Sequence, residues 1–113
     1  MNAKHALASL FIAILAAMLW ATVRASLDRS VVDAGVELIR DPWFVATLFD
    51  AYFGFLTFFV WVAYKERTAG ARALWFVLIM LLGNFAMAAY VLRELKRLPA
   101  GAPLSAILLR SPA

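Results

Sequence analysis

Cysteine is absent from this chain of 113 residues, which removes disulfides, thiolate nucleophiles, iron–sulfur clusters and Cys-ligated zinc. Histidine occurs once, at His5 beside the N-terminus, too isolated to serve a Ser–His–acid set or a metal centre. The five glycines are scattered, and none forms a phosphate-cradling loop. Charged residues make up 16% of the chain, against roughly 25% in soluble domains. These shortages exclude the familiar soluble-enzyme constellations, and no catalytic residue and no metal ligand is assigned.

Apolar residues are what the chain has instead. They make up 65% of it, with a mean hydropathy of +0.85, where soluble domains hold roughly 45–50%. A single domain of this length has no core large enough to hide them. The net charge of +4 would suggest nucleic acid in a soluble protein. Here the cations flank apolar runs, which fits membrane lipids as partners and excludes nucleic acid.

Three such runs organise the sequence. Residues 6–23 (ALASLFIAILAAMLWATV) and 73–92 carry no charge, and residues 43–64 (WFVATLFDAYFGFLTFFVWVAY) carry one, Asp50. At about 1.5 Å per residue the middle run reaches roughly 33 Å, enough to cross a hydrocarbon core of about 30 Å. The expected fold class is an all-α membrane protein in one domain. It has transmembrane helices over 6–23, 43–64 and 73–92, an interfacial amphipathic helix over 27–40, and a flexible or interfacial tail over 98–113. Lys4 ahead of the first run gives it some likeness to a secretory signal, but the run exceeds the usual 7–15 apolar residues, and an uncleaved helix is favoured.

Local signals mark the boundaries. Asp41 can accept from the free N–H groups of a helix start, and Pro42 suits the first helical position. Ser26 is a candidate cap for the interfacial helix, whose plain reading is a solvated connector and whose sharper one is a docking or headgroup-sensing element. Trp20, Trp43, Trp61, Tyr64, Trp75 and Tyr90 stand near the ends of the runs as interfacial anchors. Arg24, Arg40, Lys65, Arg67, Arg72, Arg93, Lys96 and Arg97 read as headgroup contacts and topology markers. The short turn KERTAGAR makes the second and third runs antiparallel neighbours.

Within the runs, Ser9, Ala13, Ala17 and Ala21 recur every fourth residue and line one helix face, where small side chains allow close packing; an Ala-rich composition produces the same stripe by chance. Thr47, Asp50, Gly54 and Thr57 form a second stripe, and Gly83 lies beside the face bearing Asn84. Asp50 and Asn84 each fall about 10–12 Å from the same membrane side, so the spacing predicts a hydrogen bond from the Asn84 amide to the Asp50 carboxylate. Asp50 is then either a helix–helix staple or a proton, cation or ligand site. No cofactor is required, although bound lipid, quinone or pigment would suit the aromatics around the middle run.

The run DPWFVATLFDAYFGFLTFFVWVAYKE, the basic turn after it, LWFVLIMLLGN and YVLREL together resemble an uncharacterised family of small bacterial and plant membrane proteins, a domain of unknown function. The resemblance covers Pro42 to Leu95, rests most on Asp41-Pro42-Trp43, Asp50, Tyr52 and Lys65-Glu66, and implies no activity. Counting cations on either side of three spans places the C-terminus in the cytoplasm and the N-terminus outside, in a bacterial inner (plasma) membrane. The expected function is a structural or accessory subunit packing in a larger membrane complex or a homo-oligomer. The alternative is a small proton- or cation-coupled transporter, or an intramembrane enzyme on a lipid or isoprenoid, using Asp50.

Overall fold

The computed structural model describes residues 2–110, and among them there is helix and connection but no strand. The order is α1 (Ala3–Asp28), α2 (Val31–Leu38), α3 (Pro42–Lys65), α4 (Ala69–Leu82) and α5 (Asn84–Arg97), then a short 3₁₀ turn at Leu104–Leu108. Four of these helices start on a side-chain cap. Asn2 accepts from His5 N, Ser30 from Asp33 N, Asp41 from Trp43 N and Thr68 from Ala71 N, at 2.9–3.1 Å. Ser26 does not cap: α1 runs past it to Asp28, and the helix expected over 27–40 shrinks to Val31–Leu38. Helices α1 and α3, of 26 and 24 residues, are long and apolar enough to cross a membrane.

The third apolar run is not one helix. It is cut at Gly83, whose φ of 54° and ψ of −121° suit glycine and strain any residue bearing a Cβ. Behind the cut the chain reverses. Ile79 and Ala86 share one core cluster, and the rings of Trp75 and Tyr90 stand 4.8 Å apart, although a straight helix would separate them by about 22 Å. Helices α4 and α5 are therefore the two arms of a hairpin. Each has 14 residues and reaches about 21 Å, short of the 30 Å of a bilayer core, so the span expected over 73–92 is corrected to two half-length helices. A Cβ on residue 83 would lie 2.8 Å from Cζ of Phe55, so the Phe55 ring of α3 packs directly against the bend.

Helices α3 and α4 are antiparallel, as the short turn between them predicts. Tyr52 donates to Met80 O (3.2 Å), Phe59 packs on Phe76 (5.2 Å) and Arg72 Nε donates to Ala63 O (2.9 Å). Helix α1 lies along α5 with a half-buried face of Leu7, Ala8, Phe11, Ile14, Leu15 and Met18, spaced at three and four residues. Leu7, Ala8 and Phe11 meet Val91, Leu95 and Ile107. The small-residue stripe Ser9, Ala13, Ala17 and Ala21 is exposed, because the large residues beside it fill the contact with α5.

Residues 98–110 are docked rather than loose. Ile107 is buried, Trp61 Nε1 donates to Leu108 O (3.2 Å) and Arg110 Nε to Tyr64 O (2.8 Å). The end of the expected tail, residues 111–113, lies outside the described residues. The start of α1 and the docked tail thus sit at one end of the bundle, together with the end of α3, the start of α4 and the end of α5.

Gly83→Ala is expected to cost about 1–3 kcal/mol, from backbone strain and the clash with Phe55. Gly54→Ala, with no atom within 4 Å of the new methyl, should be neutral or stabilising by up to about 1 kcal/mol. Thermal unfolding of both variants in detergent micelles checks the pair; equal midpoints would contradict this account of the bend.

Candidate functional site

The reversal gathers charge at the shared end of the bundle. Lys65 closes α3 and Glu66 follows it, while Tyr90, Arg93, Glu94 and Arg97 recur at three- and four-residue spacing on one face of α5. Lys65 Nζ meets Glu94 Oε1 at 2.7 Å, with the two side chains only 4% and 3% exposed. Lys65 also donates to Ile107 O, so one ammonium ties together α3, α5 and the tail. Glu94 Oε2 faces Arg97 at 3.3 Å and Arg93 at 3.5 Å. Tyr90 donates from its hydroxyl to Glu66 Oε2 at 3.0 Å, and Arg93 stands 3.6 Å from the same oxygen.

Aromatic rings wall this network on the bundle side. Tyr90 is fully buried and receives Trp75, Trp61 and Phe58 edge-on at 4.8, 5.5 and 6.2 Å. It had been expected as an interfacial anchor; the hairpin turns it inward instead. Lys65 lies over the Trp61 ring at 5.4 Å and Arg93 over Trp75 at 5.7 Å, so both cations also meet ring faces. Burial, then the charge of Glu94 and the bond to Glu66, push the Tyr90 phenol above its ordinary range, which keeps it a donor.

Next to the network a cleft of about 200 Å³ is lined by Lys65, Glu66, Arg67, Thr68, Ala71, Arg93, Glu94 and Arg97. Four cations face two carboxylates there. The arrangement holds charge; it has no nucleophile paired with a base. Among the described residues no three His, Asp or Glu side chains come together to hold a metal.

The pair expected from sequence does not form. Asp50 and Asn84 are both exposed, and no hydrogen bond joins them among the described residues. Asp50 lies on the outward stripe of α3 with Thr47, Gly54 and Thr57, while Asn84 opens α5 beyond the bend. The Thr47 and Thr57 hydroxyls donate back to Trp43 O and Phe53 O, leaving a smooth stripe with one carboxylate in it. Trp20 and Trp43 are exposed, and Tyr64 is exposed with its ring under Arg110. Glu94 was missed. Its signal was a lone acid among the cations of RELKR, one helical turn from an aromatic at Tyr90.

Glu94→Gln should cost about 3–5 kcal/mol, because Lys65 is left buried without its counter-charge. Lys65→Met combined with Glu94→Leu should recover most of that loss, since no buried ammonium is then left without its counter-charge. Chemical denaturation in micelles reads both, and a double variant no better than the single would contradict the assignment.

No curated protein and no solved structure matches the chain. A family match does, and it extends well past Pro42–Leu95 to take in α1 and the docked tail. The chain belongs to the family described as "Protein of unknown function (DUF1475)", which it matches over residues 3–113.

Proposed function

We propose that this protein is a small integral membrane subunit that crosses the bilayer by α1 and α3, carries α4 and α5 as a hairpin dipping in from one side, and serves as an accessory element against a partner membrane helix. The observation that carries the reading is the outward surface of the two long helices. No residue of α1 is buried, and Trp43, Phe49, Phe53 and Val60 of α3 are 61–83% exposed. Water would leave that surface uncovered at great cost, whereas lipid and a partner cover it. The break at Gly83 is compatible with membrane depth because the residue is buried, with the Phe55 ring against it.

Asp50 supports the accessory part. It stands eight residues into α3, about 12 Å from the helix start, where a bare carboxylate against acyl chains is costly. A neighbouring helix offering a donor or a cation to the Thr47–Asp50–Gly54–Thr57 stripe would relieve it. The exposed stripe on α1 offers the close approach such packing uses.

The hairpin also changes the cation count. Lys4, Lys65, Arg67, Arg72, Arg93, Lys96, Arg97 and Arg110 fall at the shared end, and only Arg24, Arg29 and Arg40 at the other, eight against three of the 11. Cation excess marks the cytoplasmic side, so both chain ends belong in the cytoplasm.

Because the chain has no cysteine, single introduced cysteines report sidedness cleanly. Thr68→Cys and Ala102→Cys should label only from the cytoplasmic face and Ser30→Cys only from outside; labels at Thr68 and Ala102 from opposite faces would overturn the topology. In native gels of mild-detergent extracts, Asp50→Leu should shift the protein from an assembly to the free subunit. Should assembly survive while a proton-linked activity of the membrane disappears, the accessory role gives way to a coupling carboxylate.

A further inference from the structure

We propose that α2 is seated in the bilayer surface, in the leaflet where α1 ends and α3 begins, with its aliphatic side among the acyl chains and its charged side at the headgroups. Insertion rather than lipid charge holds it there. The inference rests on the membrane reading above and deepens it by naming what covers this connector.

The helix has two unlike sides. Val32, Val36 and Ile39 recur at four and three residues, with Val31 and Leu38 beside them, and make a broad aliphatic arc. Asp33, Glu37 and Arg40 recur at the same spacing on the opposite side, where Arg29 pairs with Glu37. Ala34 and Gly35, on the aliphatic side, are half-buried, whereas Asp33, Glu37 and Arg40 are exposed, so the aliphatic side is the one nearer the spans.

The protein itself does not cover the arc. No residue of α2 is buried; Val31, Val32 and Val36 are 64–85% exposed and Ile39 55%. A cleft of about 390 Å³, with Ala21, Ala25, Val31 and Ala34 in its lining, parts α2 from the end of α1. A helix of eight residues with a glycine inside it does not hold its shape in water on its own backbone, even with Ser30 as its cap. Something apolar must lie against it.

Position identifies that as lipid. Helix α2 lies on the short connection between the end of one span and the start of the other. Arg24, over the Trp20 ring at 5.4 Å, and Trp43, 83% exposed in the first turn of α3, mark the membrane interface on its two sides. An amphipathic helix at that level lies in the plane of the interface. Charge identifies the manner of binding. From Asp28 to Asp41 four carboxylates stand against two guanidinium groups, so anionic headgroups repel the segment as a whole and only its aliphatic side favours the bilayer.

The full chain in lipid vesicles tests this, with nitroxide labels on single introduced cysteines and collision with oxygen and with a water-soluble nickel chelate as the readout. Val32→Cys and Val36→Cys should report a depth of about 5–10 Å into the headgroup and acyl boundary. Asp33→Cys, on the other side, should be open to the chelate. The depths should be the same in phosphatidylcholine alone and with phosphatidylglycerol added. All three positions are exposed, so the fold carries the labels. A Val36 label as open to the chelate as the one at Asp33 overturns the proposal, by making α2 a solvated connector. So does a Val36 label closed to both collision partners, which marks protein against the face, or a depth reached only with phosphatidylglycerol. Phe53→Cys, 62% exposed midway along α3, reads the other premise. A Phe53 label open to the chelate fails the membrane reading, whereas Phe53 in lipid with Val36 in water fails this inference alone.

Discussion

Gly83 is the constraint on which the rest of this structure depends. A backbone at φ 54° and ψ −121° ends α4 and restarts the helix in the opposite direction, and the absent side chain leaves room for Phe55. With a β-carbon at that position, the 20 residues from Ala73 to Leu92 would have every apolar reason to run straight. Because they turn, Tyr90 meets Trp75 and Glu94 meets Lys65. The buried charge network is a consequence of the turn, and so is the gathering of eight cations at one end.

That network is better understood as a fastening than as a source of net stability. Burying an ammonium and a carboxylate costs several kcal/mol each, roughly repaid by their attraction at short range, so the pair adds little over an apolar substitute. Its value lies in register. Only one rotation of α5 about its axis places Tyr90, Arg93, Glu94 and Arg97 against Lys65 and Glu66. Lys65 then reaches Ile107 O and holds the tail against the bundle. In a chain whose other surfaces are nearly uniform in apolarity, such a polar lock selects one packing among many, and the aromatic rings around Tyr90 complete it.

Much of the helical layout was legible in the sequence. The Asp41-Pro42 start and the Tyr64-Lys65 finish of α3 carry their own chemistry, and its length follows from an apolar run with a single acid. The expected helices 6–23 and 43–64 lie within α1 and α3. The hairpin was not legible, because a glycine between Leu82 and Asn84 looks like any tolerated small residue in an apolar helix. Its positive φ and the approach of Phe55 exist only in three dimensions. The misplaced residues follow from that turn: a straight helix puts Asn84 opposite Asp50, leaves Tyr90 unburied, and carries Arg93 and Arg97 to the end of the bundle away from Lys65.

The reversal is open to direct measurement in the intact chain. With spin labels at Ala69→Cys and Lys96→Cys, both exposed positions, pulsed electron–electron resonance in lipid nanodiscs reads the distance between the far ends of α4 and α5. Two packed antiparallel arms, with axes 8–10 Å apart, predict a label separation under about 20 Å. A straight continuous helix of 27 steps at 1.5 Å would hold the labels about 40 Å apart, and that result would contradict the account.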